Sequence, residues 1–180
     1  MPADQPADLS ARIKAGLRDV PDFPEEGVVF KDITPLLAEP ASLRAVVEGI
    51  ADHYEKGSVD AVLGLEARGF ILAAPVALEL GAGFVPVRKA GKLPRETHRA
   101  SYDLEYGSAT VEMHADAVSP GSRVVIVDDV LATGGTGRAA VELVDKAGGT
   151  VVGFSVLVEL GFLQGRRKLT DVELHALAVL

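Results

Sequence analysis

The chain contains no cysteine. It therefore has no disulfide framework and no thiolate site, and it gives no redox clue to compartment. No apolar run reaches the roughly 18 residues that a membrane-spanning helix needs. The opening "MPADQPADLS" is polar, carries two prolines and lacks the apolar core of a signal peptide. Positive charge is also scarce, with a formal net charge of -8. A general DNA or RNA binder needs a large basic face, so neither nucleic acid nor membrane is an expected partner. A small anionic substrate stays open, because a local cluster can override net charge. The four histidines, His53, His98, His114 and His175, show no metal-ligand spacing, so no zinc site is expected. There is no G-x-S-x-G elbow for a covalent serine mechanism. These absences leave a cytoplasmic enzyme or binding protein.

What is present fits one globular domain. The chain has 180 residues, 48% apolar and 24% charged, enough for a sizeable core and too few for two ordinary domains. A loose tail of ten residues is expected, then a short helix in "LSARIKAGLRDV" with Ser10 as its cap and Leu9, Ile13 and Leu17 on one face. "PDFPEEGVVFKDITPLL" reads as an ordered loop with an extended piece at Val28 to Phe30. Residues 41–55 have Leu43, Val46, Val47, Ile50 and Ala51 at helical spacing. Apolar strands then alternate with helices. "VDAVLGL", "FVPVRK", "VVIVDD" and "VVGFSVLVEL" are the strands, and "ILAAPVALEL" and "GRAAVELVDKAG" are the helices. Strands apolar on both faces imply a mostly parallel sheet flanked by helices. The long polar stretch between Arg88 and Val111 suits a two-stranded flap, since "SYDLEY" and "ATVEMH" alternate.

The most informative stretch is "VVIVDDVLATGGT", Val124 to Thr136. Ligands of open parallel sheets bind beyond the carboxyl ends of the strands. The strand is expected to end at Asp128 and Asp129, where two adjacent side chains can serve one ligand. Carboxylates accept hydrogen bonds from vicinal hydroxyls and can hold hydrated Mg²⁺. Ala132 to Thr136 then forms a turn opening a helix, whose backbone N–H groups make an anion site. Thr133 and Thr136 can add hydroxyl donors. The turn has no lysine, which rules out the nucleotide P-loop, and it does not match G-x-G-x-x-G. A helix cap preceded by surface acids is the bland alternative. The joint spacing favours a sugar with vicinal hydroxyls and a neighbouring phosphate.

That stretch closely resembles the signature of type I phosphoribosyltransferases, which bind phosphoribosyl pyrophosphate (PRPP). The resemblance implies a type I phosphoribosyltransferase fold with a small N-terminal hood over about 1–40 and a mobile catalytic flap over about 88–111. It implies that Asp128 and Asp129 contact the ribose hydroxyls. It gives Ala132, Thr133, Gly134, Gly135 and Thr136 to the 5′-phosphate. Mg²⁺ would be held mainly by PRPP and water, near Asp128 and Asp129. A homodimer is the family's usual assembly.

Three further segments, "FPEEGVVFKDITPLL", "EARGF" and "RKAGKLPRET…SYDLEYG", are similar to the branch of that family that uses adenine and forms AMP and pyrophosphate. Arg68 in "EARGF", with backbone from Glu66 and Ala67, would meet the pyrophosphate, and Lys89 would be the second cation. Arginine's planar fork suits phosphate oxygens. The stretch 88–99 holds Arg88, Lys89, Lys92, Arg95 and Arg99 against one acid, Glu96, and reads as a local positive patch. Arg166, Arg167 and Lys168 read as solvated surface. In "GVVFK", the family stacks adenine on the residue matching Phe30 and uses backbone of Val29. Lys31 stands where the family commonly has arginine. Leu160 matches a position packing on the base's other face. In "LEYG", Glu105 would face the purine and Tyr106 the reacting centre. The alternatives are a transferase for another purine base, or a regulator that senses PRPP without catalysis.

Overall fold

The computed structural model describes residues 6–104 and 107–180. The first helix, α1 (Pro6–Gly16), starts inside the expected tail. Proline is tolerated in a first helical turn, and Leu9 and Ile13, four apart, are buried on one face. Ser10 therefore lies within the helix rather than capping it, and Leu17 falls beyond its end. Strands β1 (Arg18–Pro21) and β2 (Val29–Asp32) form a small antiparallel sheet in which Val20 opposes Phe30. Two helices follow, α2 (Thr34–Ala38) and α3 (Pro40–Ala51). The Glu39 carboxylate accepts the N–H groups of Ala41 and Ser42 at 3.0 and 2.6 Å and so fixes the start of α3. The helix stops at Ala51 rather than 55, because the chain turns to place the Tyr54 hydroxyl 2.7 Å from Ser155 Oγ.

The main sheet has seven strands. Its parallel part comprises β3 (Ala61–Leu65), β4 (Gly83–Lys89), β7 (Arg123–Leu131), β8 (Thr150–Glu159) and β9 (Leu174–Val179). The antiparallel hairpin β5 (Thr97–Asp103) and β6 (Ser108–His114) joins through β6 to β4, giving the order β5-β6-β4-β3-β7-β8-β9. Helices α4 (Arg68–Leu80) and α5 (Gly135–Lys146) complete the chain's larger elements. Side chains alternate between two cores, as a strand's period of two requires. Leu63, Val124 and Ile126 meet Ala139, Ala140, Leu143 and Val144 of α5. Val62, Val125 and Val127 meet Val46 and Ile50 of α3 and Leu72 and Val76 of α4. The expected α/β architecture, a mostly parallel sheet covered by helices on both faces, is the one observed.

Candidate active site

Strand register brings the separate motifs together. Leu65 of β3 pairs with Val87 of β4, and Gly64 pairs with Val127 of β7. The next residues on all three strands therefore emerge at one carboxyl edge: Glu66, then Lys89 two positions on, and Asp128. They line a pocket of about 190 Å³ with Ala67, Arg68, Asp129 and Thr136. The strand at the acids differs from its expected form in one respect. β7 continues through Asp128 and Asp129 to Leu131, because β8 keeps pairing with it as far as Leu131 opposite Glu159. The strand ends at the acids only on its β3 side, where pairing stops at Val127.

Helix α4 supplies what holds both acids at that edge. Gly69, in its first turn, lies against Asp128 and the Val127 carbonyl; a Cβ there would sit 2.8 Å from Asp128 Oδ1. Asp128 Oδ1 also accepts the N–H of Asp129 at 2.9 Å. Arg68 reaches across, with Nε 2.7 Å from Asp129 Oδ2, a contact without an aligned N–H hydrogen bond. The same guanidinium lies over the Phe30 ring, 4.7 Å from its centroid. Arg68 thus links the acids to the N-terminal aromatic that the family resemblance assigns to the base. The Glu66–Ala67 peptide beside it is cis.

Burial, and next the charge of Asp129, push the Asp128 carboxyl well above its usual range, with Arg68 partly opposing the shift. A raised carboxylate favours the folded state at low pH, and that contribution is lost as pH rises from the unfolded value through the folded one. Asp128→Asn is therefore expected to raise the melting temperature of the ligand-free protein at pH 8, with a smaller gain at pH 4. Thermal unfolding at the two pH values measures it; a loss of stability at pH 8, or a gain there no larger than at pH 4, would contradict the assignment.

The turn after β7 forms a second recess of about 80 Å³, lined by Ala132, Thr133, Gly134, Gly135, Thr136 and Gly137. It shares Asp128, Val130 and Thr136 with the first. Gly134 caps α5 with φ of 78°, a left-handed conformation that glycine adopts without penalty. The N-terminal N–H groups of α5 follow at once beside the two carboxylates, an arrangement suited to an anion.

The basic stretch changes meaning in three dimensions. Arg88 Nε and Nη2 donate to Glu66 at 3.2 and 3.3 Å, Arg95 pairs with Asp116 at 2.6 Å, and Arg99 lies 2.9 Å from the buried Glu112. The acids come from β3's end, from β6 and from beyond it, so a linear count overstates the positive patch. Among the described residues, Lys89 and Lys92 have no ion pair, and Lys89 lines the pocket. Its backbone N–H is fixed by Glu66 at 2.9 Å. Glu105 and Tyr106, assigned to the flap, lie outside the described residues. The flanking β5–β6 hairpin is present as expected, and it contributes Tyr102 and Val111 to the pocket. Sequence reasoning does not single out Tyr102. No local signal marks it: only the fold brings its ring to where a Cβ on Gly135 would stand, 2.9 Å away.

The residues assigned to the base are gathered less tightly. Phe30 is half-buried, with Phe23 edge-on at 5.2 Å. Val29 is half exposed. The Lys31 ammonium is held 2.6 Å from Asp19 across the small sheet. Leu160 follows β8 at the ligand edge, its N–H donating to Leu131 at 2.9 Å. These four residues line neither recess; Phe30 is joined to the site through Arg68.

A carboxylate pair beside a helix-opening anion turn, at the edge of this sheet order, defines the phosphoribosyl-transferring class. The family described as "Phosphoribosyl transferase domain" matches residues 32–175. An adenine phosphoribosyltransferase of Thermobifida fusca is 70% identical over 171 residues, 95% of this chain and 97% of the relative. That of Acidothermus cellulolyticus is 60% identical, covering 91% and 93%. Among solved structures, adenine phosphoribosyltransferase from Rhodothermus marinus superposes with a TM-score of 0.92 at 51% identity, covering 97% and 99%. The Saccharomyces cerevisiae enzyme, solved with an imino-altritol bisphosphate and adenine, gives 0.90 at 40% identity, covering 95% and 99%. The chain belongs to the phosphoribosyltransferase family, in its adenine phosphoribosyltransferase branch.

Proposed function

We propose that the protein transfers the phosphoribosyl group of PRPP to N9 of adenine, giving AMP and pyrophosphate. The convergence of Asp128, Asp129, Arg68, Lys89 and the Ala132–Thr136 turn on two adjoining recesses carries this reading. The acids hold the ribose hydroxyls, and the turn's N–H groups hold the 5′-phosphate. The C1–oxygen bond breaks as N9 attacks, C1 takes on oxocarbenium character, and the proton of N9 is lost to solvent or to the departing pyrophosphate. The two carboxylates favour that positive charge, while Arg68 and Lys89 receive the departing pyrophosphate. Arg68 already touches Asp129 and Phe30, so one guanidinium connects the sugar, pyrophosphate and base subsites.

The base stacks on Phe30, with the Val29 backbone reading its edge and Leu160 opposite. A carbonyl acceptor there pairs with adenine's amine and meets a 6-oxopurine acceptor to acceptor. Lys31, tied to Asp19, contributes a cation near this edge rather than a bidentate contact. The segment to about residue 40 acts as a hood. Residues 88–111, carrying Glu105 and Tyr106, act as a flap that keeps water from the cationic centre.

Asp128 and Asp129, one with an oxygen lacking an aligned donor, would stand near a Mg²⁺ held mainly through PRPP and water. When bound, the ion neutralises charge on the leaving group. We take the unit to be a homodimer, the family's usual assembly, acting in the cytoplasm. AMP formation measured from PRPP with adenine, hypoxanthine, guanine and xanthine tests the base assignment. Adenine is expected to exceed the others by roughly 10⁴-fold, the scale at which an unpaired buried polar edge rejects an analogue. Equal rates with adenine and hypoxanthine would sink it.

A further inference from the structure

Behind the phosphate turn lies a segment that the proposed mechanism does not use. Residues Gly161–Leu163 and Gly165–Lys168 form two short 3₁₀ turns after β8. Gly165 packs directly on the turn. Its carbonyl abuts Gly134, and the Ala132 carbonyl abuts Gly165, so neither glycine has space for a Cβ. The position a Gly165 Cβ would take is 2.9 Å from the Gly134 nitrogen. Gly165 lines neither recess, so it contacts the turn without facing them. In a trans peptide the C=O and N–H point in opposite directions. An Ala132 carbonyl facing Gly165 therefore turns the Thr133 N–H away from Gly165.

One ion pair fixes Gly165 itself. Arg166 Nη2 and Nε donate to the two oxygens of Glu159 at 2.6 and 3.1 Å, and Nη1 donates to the Leu174 carbonyl at 3.3 Å. Glu159 is the last residue of β8 and is only 5% exposed. A planar fork on a buried carboxylate is a geometry that lysine does not reproduce.

We propose that the Glu159–Arg166 pair is a positioning device for the 5′-phosphate. It clamps Gly165 against the turn, and Gly165 sets the direction of the turn's N–H groups. Neither side chain touches substrate. The proposal rests on the reading of Ala132–Thr136 as the 5′-phosphate cradle.

Calorimetric binding of ribose 5-phosphate and of pyrophosphate to the full-length protein tests it, with melting temperature followed in parallel. Arg166→Met and Glu159→Gln should each weaken ribose 5-phosphate by roughly tenfold, the scale of residues that only orient a binding group. Pyrophosphate should stay within about twofold, since its site rests on Arg68 and Lys89. Combining the two substitutions should add little, because both remove one bridge. Arg166→Lys should recover part of the affinity, because it keeps the charge and loses the fork. Unchanged ribose 5-phosphate affinity in folded variants overturns the clamp, and so does an equal loss for both ligands. If Glu159→Gln fails to fold, Arg166→Lys and Arg166→Met decide alone. A wild-type protein that forms AMP without binding ribose 5-phosphate would overturn the cradle reading and the clamp together.

Discussion

Replacing Asp128 and Asp129 together by asparagine is expected to lower kcat/KM for PRPP by roughly 10³-fold. On the proposed reading each acid accepts a charge-assisted hydrogen bond from a ribose hydroxyl, at about 1.5–3 kcal/mol each, with about 1.36 kcal/mol per factor of ten. Asparagine keeps the shape and one acceptor oxygen, so the substitution removes charge rather than volume. Two effects should separate in the kinetics. Weaker ribose binding raises KM, and loss of negative charge beside a cationic C1 lowers kcat. Arg68 also loses its carboxylate partner, which frees the guanidinium that spans Asp129 and Phe30. Unfolding can be told apart, because Asp128 is a carboxylate whose burial opposes its charge. The single Asp128→Asn protein should therefore combine lower activity with undiminished stability at pH 8. Steady-state AMP formation across PRPP concentrations measures the effect. Kinetics equal to the parent would remove both acids from the site.

Much of this site is legible in the sequence because its parts are local. The acids and the phosphate turn lie within Val124 to Thr136, and a strand, a turn and a helix start have short-range signatures. The order of strands and helices is legible for the same reason. Long-range pairing is not. Arg88, Arg95 and Arg99 look like free positive charge until the fold sets Glu66, Asp116 and Glu112 beside them. A linear count misses these pairs, since 22, 21 and 13 residues separate the partners. The continuation of β7 past the acids is hidden too, because it depends on the length of β8, not on β7's own residues. Ser10 fails as a cap because the burial of Leu9 draws the preceding turn into the helix. Arg166 reads as solvated surface because Glu159, only seven residues back, faces it only once β8 ends and the chain folds through two 3₁₀ turns.

Gly134→Ala should be the most damaging single-methyl change in the site, with ribose 5-phosphate binding falling by roughly 10²-fold. Two causes add. A non-glycine residue at φ of 78° costs about 1–2 kcal/mol. The new Cβ would also enter the space of the Gly165 carbonyl, a backbone atom that cannot rotate aside. The turn must move, and each N–H aimed at the phosphate moves with it. Gly121→Ala provides the control. Gly121 has φ of 82° with nothing within 4 Å of where its Cβ would stand, so it carries the conformational cost without the collision. Both variants should lose thermal stability, and only Gly134→Ala should lose the phosphate. Gly135→Ala belongs between them, because its Cβ meets the Tyr102 ring, a side chain able to give way. Calorimetry with ribose 5-phosphate and unfolding curves on the three proteins provide the comparison. Equal phosphate affinity in Gly134→Ala and Gly121→Ala would mean that the turn's geometry does not depend on its contact with Gly165.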